Sequence, residues 1–544
     1  MPVDKTEGGK MSGTGNGERR FSAGDGGFST TPRQAFFGFA VLSPLVVALL
    51  GLLLPIMWWA LVPLCLAIAV GMHDAFQRSH AILRQYPILG HGRYLAEAIR
   101  PEIQQYFVES DTNGAPFSRE VREIVYQRAK GQRDKLPFGT QLDVYEPGYE
   151  FIGHSMYPKT LVDADSRVTI GGPTCTQPYS ASLLNVSAMS FGALSSAAIT
   201  ALSTGARRGG FAHNTGEGGV SRYHLAGGAD LIWQIGTGYF GCRNDRGRFD
   251  PDMFAEQAEH PSIKAIEIKL SQGAKPGHGG ILPGAKVTEE IAKTRRVPVG
   301  KDVNSPPAHT AFDSAHGLLE FVDELRTLSE GKPVGFKLCV GQPDEFRAVV
   351  DAMVESGIRP DFITVDGAEG GTGAAPPELS DSMGMPLREG LSFVHQTLVS
   401  AGERDGIRII AAGKVATGFD VARCLSLGAD LCYSARAMML ALGCIQARKC
   451  HTNHCPVGIA TQDQGRAQAL VVGDKATRVH QFHRETIANF IELLGAAGCS
   501  HPSELELAHI SRRIDQQTIV SYEEIFGQVE DVPVASPVRL ARSA

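Results

Sequence analysis

An uninterrupted apolar stretch dominates the N-terminal part of the chain. Residues 35–72 contain no Asp, Glu, Lys or Arg over 38 positions. One helix crosses a bilayer with about 20 residues, so a stretch of this length is predicted to cross twice. Pro55 lies near its midpoint beside Trp58 and Trp59, and aromatic side chains favour the membrane interface. The pattern predicts a transmembrane hairpin, with a single long tilted helix as the alternative.

Basic residues flank the apolar stretch on both sides. They are Arg19, Arg20 and Arg33 before it, and Arg78, Arg84 and Arg93 after it. Because Lys and Arg accumulate on the cytoplasmic side, both flanks and the catalytic part of the chain are expected in the cytoplasm. A signal peptide is disfavoured, since its apolar region is shorter. Residues 1–34, rich in Gly, Ser, Thr and charge, are predicted to be a disordered tail.

Short runs of branched apolar residues recur from about residue 183. They predict eight β-strands: Leu183–Ala188, Gly210–His213, Ile263–Leu270, Val297–Asp302, Val334–Val340, Phe362–Asp366, Ile407–Ala412 and Asp430–Ser434. Stretches of helical length separate most of them, so residues 183–465 are predicted to form an α/β domain, a (β/α)8 TIM barrel. An open doubly wound sheet is the alternative, but no G-x-G-x-x-G follows the first strand.

The regions on either side of the predicted barrel carry no chemical motif. Residues 73–182 are predicted to be a mixed N-terminal extension with a packing or docking role, and residues 466–544 a C-terminal helical extension. The predicted helices are Arg93–Ile99, Arg119–Lys130, Arg484–Leu494 and Pro502–Ile510.

The predicted strand ends carry small and charged residues, and in a barrel these ends form the active site. They are Ser187, Ala188, Met189 and Ser190 on the first strand, Glu217 on the second, Lys269 and Lys275 on the third, Lys337 on the fifth, Asp366, Gly367, Gly370 and Gly371 on the sixth, Gly413 and Lys414 on the seventh, and Ser434, Ala435 and Arg436 on the eighth. One such residue alone indicates an ordinary turn or surface charge. Several at successive strand ends predict a phosphorylated cofactor, with its phosphate on the last two loops.

Composition narrows the class of protein. A hydrophobic fraction of 43% and a charged fraction of 20% are typical of a globular protein with a large core. The net charge is −6 with Lys and Arg scattered, which disfavours a nucleic-acid partner. Ten cysteines without a regular framework favour a reducing compartment over a disulfide scaffold.

Three cysteines lie close together in one stretch, Cys444, Cys450 and Cys455, with Pro456 directly after them. Soft thiolate ligands at short spacing suit an iron–sulfur cluster, and ferredoxin loops also place Pro after a ligating Cys. A zinc site that includes His451 or His454 is the first alternative, and unrelated buried thiols are the second. The spacing alone leaves all three open.

Five motifs in order resemble the synthase domain of the glutamate synthase family over residues of about 183 to 465. They are Met189 to Gly192, Gly216 to Gly219, Gln272 to Gly277, Asp366 to Gly373, and Gly443 through Cys455 to Gln462. The resemblance implies an FMN-binding barrel with a 3Fe–4S cluster, in which electrons pass from cluster to flavin and a hydride reduces 2-iminoglutarate to glutamate. It implies an oxidoreductase acting on CH–NH2 donors.

The resemblance also assigns roles to residues. It makes Cys444, Cys450 and Cys455 the cluster ligands, and it turns the backbone of Ser187–Ser190 toward the flavin pyrimidine edge. Lys337 is expected near the flavin ring. Gly413, Ser434, Ala435 and Arg436 are expected at the FMN phosphate. Glu217 and Lys275 match a substrate-site pair, in which Lys275 would bind a 2-oxo acid carboxylate and Glu217 would hold or protonate the nitrogen.

The chain departs from the family pattern after Lys275. His278 and Ile281 stand where the family has Glu and Gln, and losing an amide contact to the substrate costs about 1–3 kcal/mol. Neither a glutaminase domain nor a nicotinamide-binding domain is visible in the chain. We therefore expect ammonia or an amine as nitrogen source, a ferredoxin-like or flavoprotein electron donor, and a 2-oxo or imino acid substrate. Two alternatives use the same barrel differently: the same cofactors reducing another small molecule or passing electrons at the membrane, or a zinc-stabilised scaffold.

Overall fold

A computed structural model describes residues 31–132, 135–136, 138–161 and 167–527. The chain forms two compact units, Met1–Val108 and Glu109–Ala544. The boundary between them falls inside the extension predicted over residues 73–182. Most of the predicted disordered tail lies outside the described residues, and the first helix begins at Pro32 rather than at residue 35.

The N-terminal unit is helical. Its elements are the helices Pro32–Leu53, Leu61–Phe76, Ala81–Gln85 and Gly90–Ile103, the 3-10 helix Pro55–Ala60 and the π-helical turn Gln104–Val108. Thr31 caps the first helix, because its hydroxyl accepts a hydrogen bond from the Gln34 N–H. The predicted hairpin shape is present, with its turn at Pro55. Gly51 permits it, because a Cβ there would lie 2.8 Å from the Trp58 ring.

Two helical stretches of this unit, Pro32–Leu53 and Pro55–Phe76, are long and apolar enough to cross a membrane. That finding concerns length and composition, which a buried core helix or a signal sequence also satisfies. These helices are mostly exposed in the structure.

The second unit contains a closed barrel of eight parallel strands, which confirms the predicted α/β TIM-barrel fold. The barrel strands are Leu184–Val186, His213–Asn214, Leu231–Ile235, Ile263–Lys269, Val334–Leu338, Phe362–Asp366, Arg408–Ala412 and Leu431–Ser434. The last strand pairs with the first through Ser434 and Val186, which closes the barrel. The residues at the carboxyl ends of these strands consequently share one rim.

One predicted barrel strand is wrong and another was missed. Residues 297–302 follow the helix Glu289–Arg295 as a turn, and Pro298 has no N–H to donate to a central ladder. The third barrel strand is Leu231–Ile235, so the strand that ends at Lys269 is the fourth. Leu231–Ile235 is buried at every position, and such a short apolar run has no distinctive period.

Helices surround the barrel and continue beyond it. In the described part of the second unit they are Arg119–Ala129, Ser196–Gly209, Arg222–Gly227, Pro251–Ala258, Glu289–Arg295, Ala315–Leu328, Pro343–Ser356, Pro377–Ser382, Leu387–Ser400, Gly418–Ser426, Arg436–Leu442, Gln464–Ala467, Val472–Ala496 and Tyr522–Phe526. Val472–Ala496 packs on Ser196–Gly209, where a Cβ at Gly205 would lie 2.8 Å from Val479. This contact joins the C-terminal extension to the barrel.

The two extensions also share a sheet. Glu150–Ile152 pairs antiparallel with Ile510–Arg513, which pairs antiparallel with Ile519–Ser521. The segment predicted as a helix over Pro502–Ile510 instead contains the 3-10 turns Pro502–Glu504 and Leu507–His509. Two further hairpins pair Arg167–Ile170 with Tyr179–Ser182 and Ile281–Leu282 with Val303–Asn304.

Candidate active site

Glu217 forms an ion pair at the carboxyl rim of the barrel. Its carboxylate accepts a hydrogen bond of 2.8 Å from the Lys269 ammonium at the end of the fourth strand. Glycines enclose it: a Cβ at Gly236 or Gly280 would lie 2.6 or 2.5 Å from a Glu217 carboxylate oxygen. Burial alone would raise the pKa of Glu217, but Lys269 outweighs it with help from Lys275 and Arg295, and the pKa is lowered. Glu217 is therefore a carboxylate suited to hold a cationic nitrogen rather than to donate a proton.

Lys275 lies close to this pair without an ion-pair partner. Its side chain is 2% exposed, and the structure gives its ammonium no hydrogen bond or ion pair among the described residues. Burial lowers the pKa of Lys275 to about 8, although Glu217 acts in the opposite direction. A buried ammonium without a partner is costly, and an anionic ligand would relieve that cost.

Arg295 is a third cation of the site, and sequence reasoning missed it. It is the last residue of the helix Glu289–Arg295, so no strand-end position marked it. Its guanidinium donates to the Ser190 hydroxyl at 3.3 Å and to the Phe191 carbonyl at 3.1 Å, and it lies over the Phe240 ring. Burial lowers the pKa of Arg295 to about 10, so it stays charged at neutral pH.

The Ser187–Ser190 loop is held rigidly by backbone bonds. The Ser187 N–H donates to the Ser434 carbonyl at 3.0 Å, and the Met189 N–H donates to the Asn214 carbonyl at 3.2 Å. Ala188 and Ser190 are partly exposed, whereas Ser187 and Met189 are buried. The loop therefore presents alternate residues to the rim.

Lys337 and Asp366 form a second ion pair, 3.2 Å apart. Asp366 also accepts the Gly273 N–H at 3.1 Å. Burial opposes the charge on Lys337, but Asp366 and the buried Glu267 outweigh it and raise the pKa of Lys337. Lys337 is thus a permanent cation on the fifth strand.

The glycine-rich loop after the sixth strand approaches Arg436. The Arg436 guanidinium donates to the Glu369 carbonyl, and a Cβ at Gly371 would lie 2.8 Å from it. The N–H groups of Gly367 and Gly370 donate to the carbonyls of Ala412 and Gly367 at 2.8 Å. These two N–H groups therefore shape the loop and are not available to a ligand.

The loops after the seventh and eighth strands, which are expected to bind a phosphate, offer only some of the predicted donors. Gly413 and Lys414 line a cavity of about 220 Å³ beside Glu369. The Ser434 hydroxyl donates its proton to the Val415 carbonyl at 2.7 Å, so it offers a ligand lone pairs but no donor. Arg436 and Lys414 remain as the cationic donors. A larger cavity of about 760 Å³ lies at the other end of the barrel, beside Leu183 and Asp430, and none of the predicted strand-end residues lines it.

The three cysteines of the Cys444–Cys455 loop are close enough for the charge of one thiolate to affect the pKa of another. Burial, then the Cys450 and Cys455 thiols, raise the pKa of Cys444 to about 11. The Gln446 N–H donates to the Cys444 sulfur at 3.4 Å. Among the residues that the structure describes, no group of three or more His, Cys, Asp or Glu side chains is arranged as a metal site. The donor chemistry suits a cluster, and the cluster itself stays a prediction.

Lys286 connects this loop to the barrel rim, and sequence reasoning missed it too. Its buried ammonium donates to the carbonyl oxygens of Ala193, Cys450 and Ala460 at 3.1, 2.7 and 3.0 Å. Tyr126, on a helix of the N-terminal extension, donates to the Cys444 carbonyl at 2.6 Å. The extension therefore helps to shape the cysteine loop.

Comparisons with known proteins show the family of the chain. A family model described as a conserved region in glutamate synthase matches residues 162–500, more than half of the chain. The glutamate synthase large subunit-like protein YerD of Bacillus subtilis is 38% identical over 525 residues, covering 89% of this chain and 99% of that protein. The archaeal-type glutamate synthase [NADPH] of Thermotoga neapolitana is 36% identical, and the chain spans only 58% of its length.

Solved structures give a more distant likeness. A mandelate oxidase bound to (S)-2-phenylpropionate is 16% identical with a TM-score of 0.41, covering 72% of this chain and 98% of that one. The family model and the full-length match to the Bacillus protein carry the assignment. The chain belongs to the glutamate synthase family.

Proposed function

We propose that this protein is an oxidoreductase that uses FMN and an iron–sulfur cluster to aminate a 2-oxo acid reductively, forming glutamate or a related amino acid. Ammonia or an amine condenses with the 2-oxo carbon and water leaves, giving an imino acid. A hydride then adds to that carbon, and a proton adds to the nitrogen. Bound FMN would supply the hydride, and the cluster would supply its electrons one at a time.

The observation that carries the proposal is the placement of Lys275 beside the Glu217–Lys269 pair. An imino acid presents a carboxylate and a cationic nitrogen on adjacent carbon atoms. The buried ammonium of Lys275, which has no partner among the described residues, suits the carboxylate. The anionic Glu217 suits the iminium nitrogen, because its lowered pKa keeps it charged. Gly236 and Gly280 let the Glu217 carboxylate pack directly against the main chain, which fixes its position.

FMN would be held by groups already in place on the rim. The Ser187–Ser190 loop would face its ring, and the permanent cation of Lys337 would stabilise negative charge on the reduced ring. Gly413, Lys414, Ala435 and Arg436 would hold the phosphate. One observation supports the fit: the side-chain amide nitrogen of Gln272 is buried and has no hydrogen-bond partner among the described residues.

A 3Fe–4S cluster would be bound by Cys444, Cys450 and Cys455, next to the barrel rim. The loop is partly open to solvent, and Arg448 and Lys449 on it are exposed. A basic surface at the cluster favours an acidic protein as electron donor, such as a ferredoxin-like protein or a flavoprotein.

The two apolar helices would anchor the protein in a membrane, with the catalytic unit in the cytoplasm. Their length and apolar composition support this. The arginines on both flanks support the orientation.

A reoxidation assay tests the proposed reaction. The purified protein is reduced anaerobically with dithionite, and flavin absorbance is followed after adding 2-oxoglutarate or another 2-oxo acid with ammonium. We expect rapid reoxidation, with formation of the matching amino acid detected by mass spectrometry. Reoxidation only by other small molecules or by an electron carrier would favour the alternative function, in which the same cofactors reduce another small molecule or pass electrons at the membrane. His278 and Ile281, which depart from the family pattern, suggest that alternative. A colourless protein with stoichiometric zinc would contradict both.

A further inference from the structure

The helix Gly90–Ile103 and the turn Gln104–Val108 carry an apolar face that no described residue covers. Leu95, Ile99 and Ile103 are spaced four residues apart, and Tyr106 and Phe107 follow three and four residues after Ile103. Each of the five is between 44% and 84% exposed. Five large apolar side chains on one side of a short helix form a surface whose exposure to water is unfavourable.

The opposite face of this helix is polar and charged. Arg93 forms an ion pair with Glu97 at 2.9 Å, one turn along the helix, and Arg100 and Gln104 continue the row. Between residues 77 and 108 the chain has four arginines and two glutamates. The excess of positive charge comes from Arg78 and Arg84 ahead of the helix, because Gly90–Ile103 itself carries two arginines and two glutamates. An amphipathic helix with basic residues beside it is typical of segments that lie in the headgroup region of a bilayer.

In space, the start of the helix Gly90–Ile103 lies beside the end of the second apolar helix, Leu61–Phe76. Asp74, in the last turn of Leu61–Phe76, is buried and accepts hydrogen bonds from the Ile88 N–H at 3.0 Å and from the His91 ring at 2.9 Å. Arg33, at the start of the first apolar helix, donates to the Ala75 carbonyl at 3.1 Å. Both apolar helices therefore have their polar ends at one level, and Gly90–Ile103 begins at that level.

We propose that Gly90–Ile103 with its following turn lies in the phospholipid headgroup region, with Leu95, Ile99 and Ile103 facing the acyl chains. This inference rests on the proposed membrane anchor. Lipid is the occupant that the structure favours, because Asp74 ties the helix to the end of a candidate span and because Arg78 and Arg84, between that span and the helix, suit anionic headgroups. The segment would fix the height of the hairpin in the bilayer.

Photo-crosslinking of the full-length protein in phospholipid nanodiscs tests the inference. A benzophenone amino acid replaces Ile99 in one variant and Gln104, on the polar face, in the matched control. A third variant carries it at Leu49, which is exposed in the last third of the first apolar helix. We expect phospholipid adducts at Leu49 and at Ile99, with at least fivefold fewer at Gln104, detected by mass spectrometry of the labelled peptides.

The three positions separate the possible failures. Lipid adducts at Leu49 but none at Ile99 would overturn the surface helix and leave the anchor intact. An absence of adducts at both positions would overturn the anchor as well. Crosslinks from Ile99 to a peptide of this chain, within one molecule or between two copies, would show that protein covers the face and would also overturn the inference. The adducts at Ile99 should increase when the discs contain phosphatidylglycerol.

Discussion

The Lys269 ammonium donates to the Glu217 carboxylate at 2.8 Å, although the two residues are 52 positions apart in sequence. Glu217 follows the second strand of the barrel, and Lys269 ends the fourth. Against the effect of burial, the pair lowers the pKa of Glu217 and keeps it anionic at the barrel mouth. In the proposed reaction Glu217 therefore meets a cationic nitrogen without any proton transfer.

Replacing Glu217 by Gln should lower kcat/KM for the amination by roughly 10- to 100-fold, because a hydrogen bond to a charged group contributes about 1.5–3 kcal/mol. The flavin spectrum should be unchanged. Glu290, on the outer surface of a barrel helix, offers the matched control Glu290→Gln. Equal losses of activity in both variants would show that Glu217 has no specific role in the active site.

Lys275 should give substrate binding a pH dependence. Its pKa is about 8, so an anionic substrate meets a charged ammonium below pH 8 and a neutral amine above it. KM for the 2-oxo acid should be level up to about pH 7.5 and then rise nearly tenfold per pH unit. In Lys275→Gln the KM should be high at all pH values and lack this rise, whereas the exposed Lys293→Gln should keep it. A level profile in the wild type would contradict the assignment.

The same shift affects stability. The pKa of Lys275 is lower in the folded protein than its ordinary value of 10.5, so the unfolded chain binds more protons between pH 8 and 10.5. The contribution of Lys275 to the free energy of unfolding should therefore become more favourable as pH rises through this window. Comparison of urea denaturation for the wild type and Lys275→Gln at pH 7 and pH 9.5 measures it. The stability gained by the substitution should shrink at the higher pH.

Lys286→Met should disrupt the cysteine loop. Three backbone carbonyls lose their common donor, and each buried polar group left unpaired costs about 1–3 kcal/mol. We expect a lower melting temperature and loss of iron and acid-labile sulfide, with flavin content largely kept. Lys293→Met, on a helix of the same segment, is the control. Full iron content in Lys286→Met would show that the loop holds its shape without this lysine.

Cys450→Ser should remove the broad iron–sulfur absorbance from the visible spectrum and leave the flavin bands. Thiolates are the ligands that iron–sulfur clusters require, and a hydroxyl is a poor substitute. Cys175→Ser, far along the chain and outside the loop, should leave the absorbance intact. Zinc in the wild-type protein, lost on replacing Cys450, would instead support the zinc alternative.

The sequence by itself determined the class of fold and most positions on the rim. A barrel strand is buried on both faces and ends abruptly in polar or glycine residues, so strands such as Phe362–Asp366 are recognisable from composition alone. Seven of the eight predicted strands are in the barrel. The pattern was ambiguous at Leu231–Ile235, because a five-residue apolar run suits a strand or a buried helical turn equally well.

Only the tertiary structure decided which charges meet. Arg295 reaches the rim from a helix. The Lys286 ammonium donates to three carbonyl oxygens, whose residues lie 93, 164 and 174 positions from it in sequence. Folding also decided that the Ser434 hydroxyl donates within the protein and that the Lys275 ammonium has no hydrogen bond or ion pair to any residue in the described part of the chain. Spacing along a chain predicts local shape and the direction of side chains, but the pKa of a buried group depends on neighbours that only chain folding brings within a few ångströms.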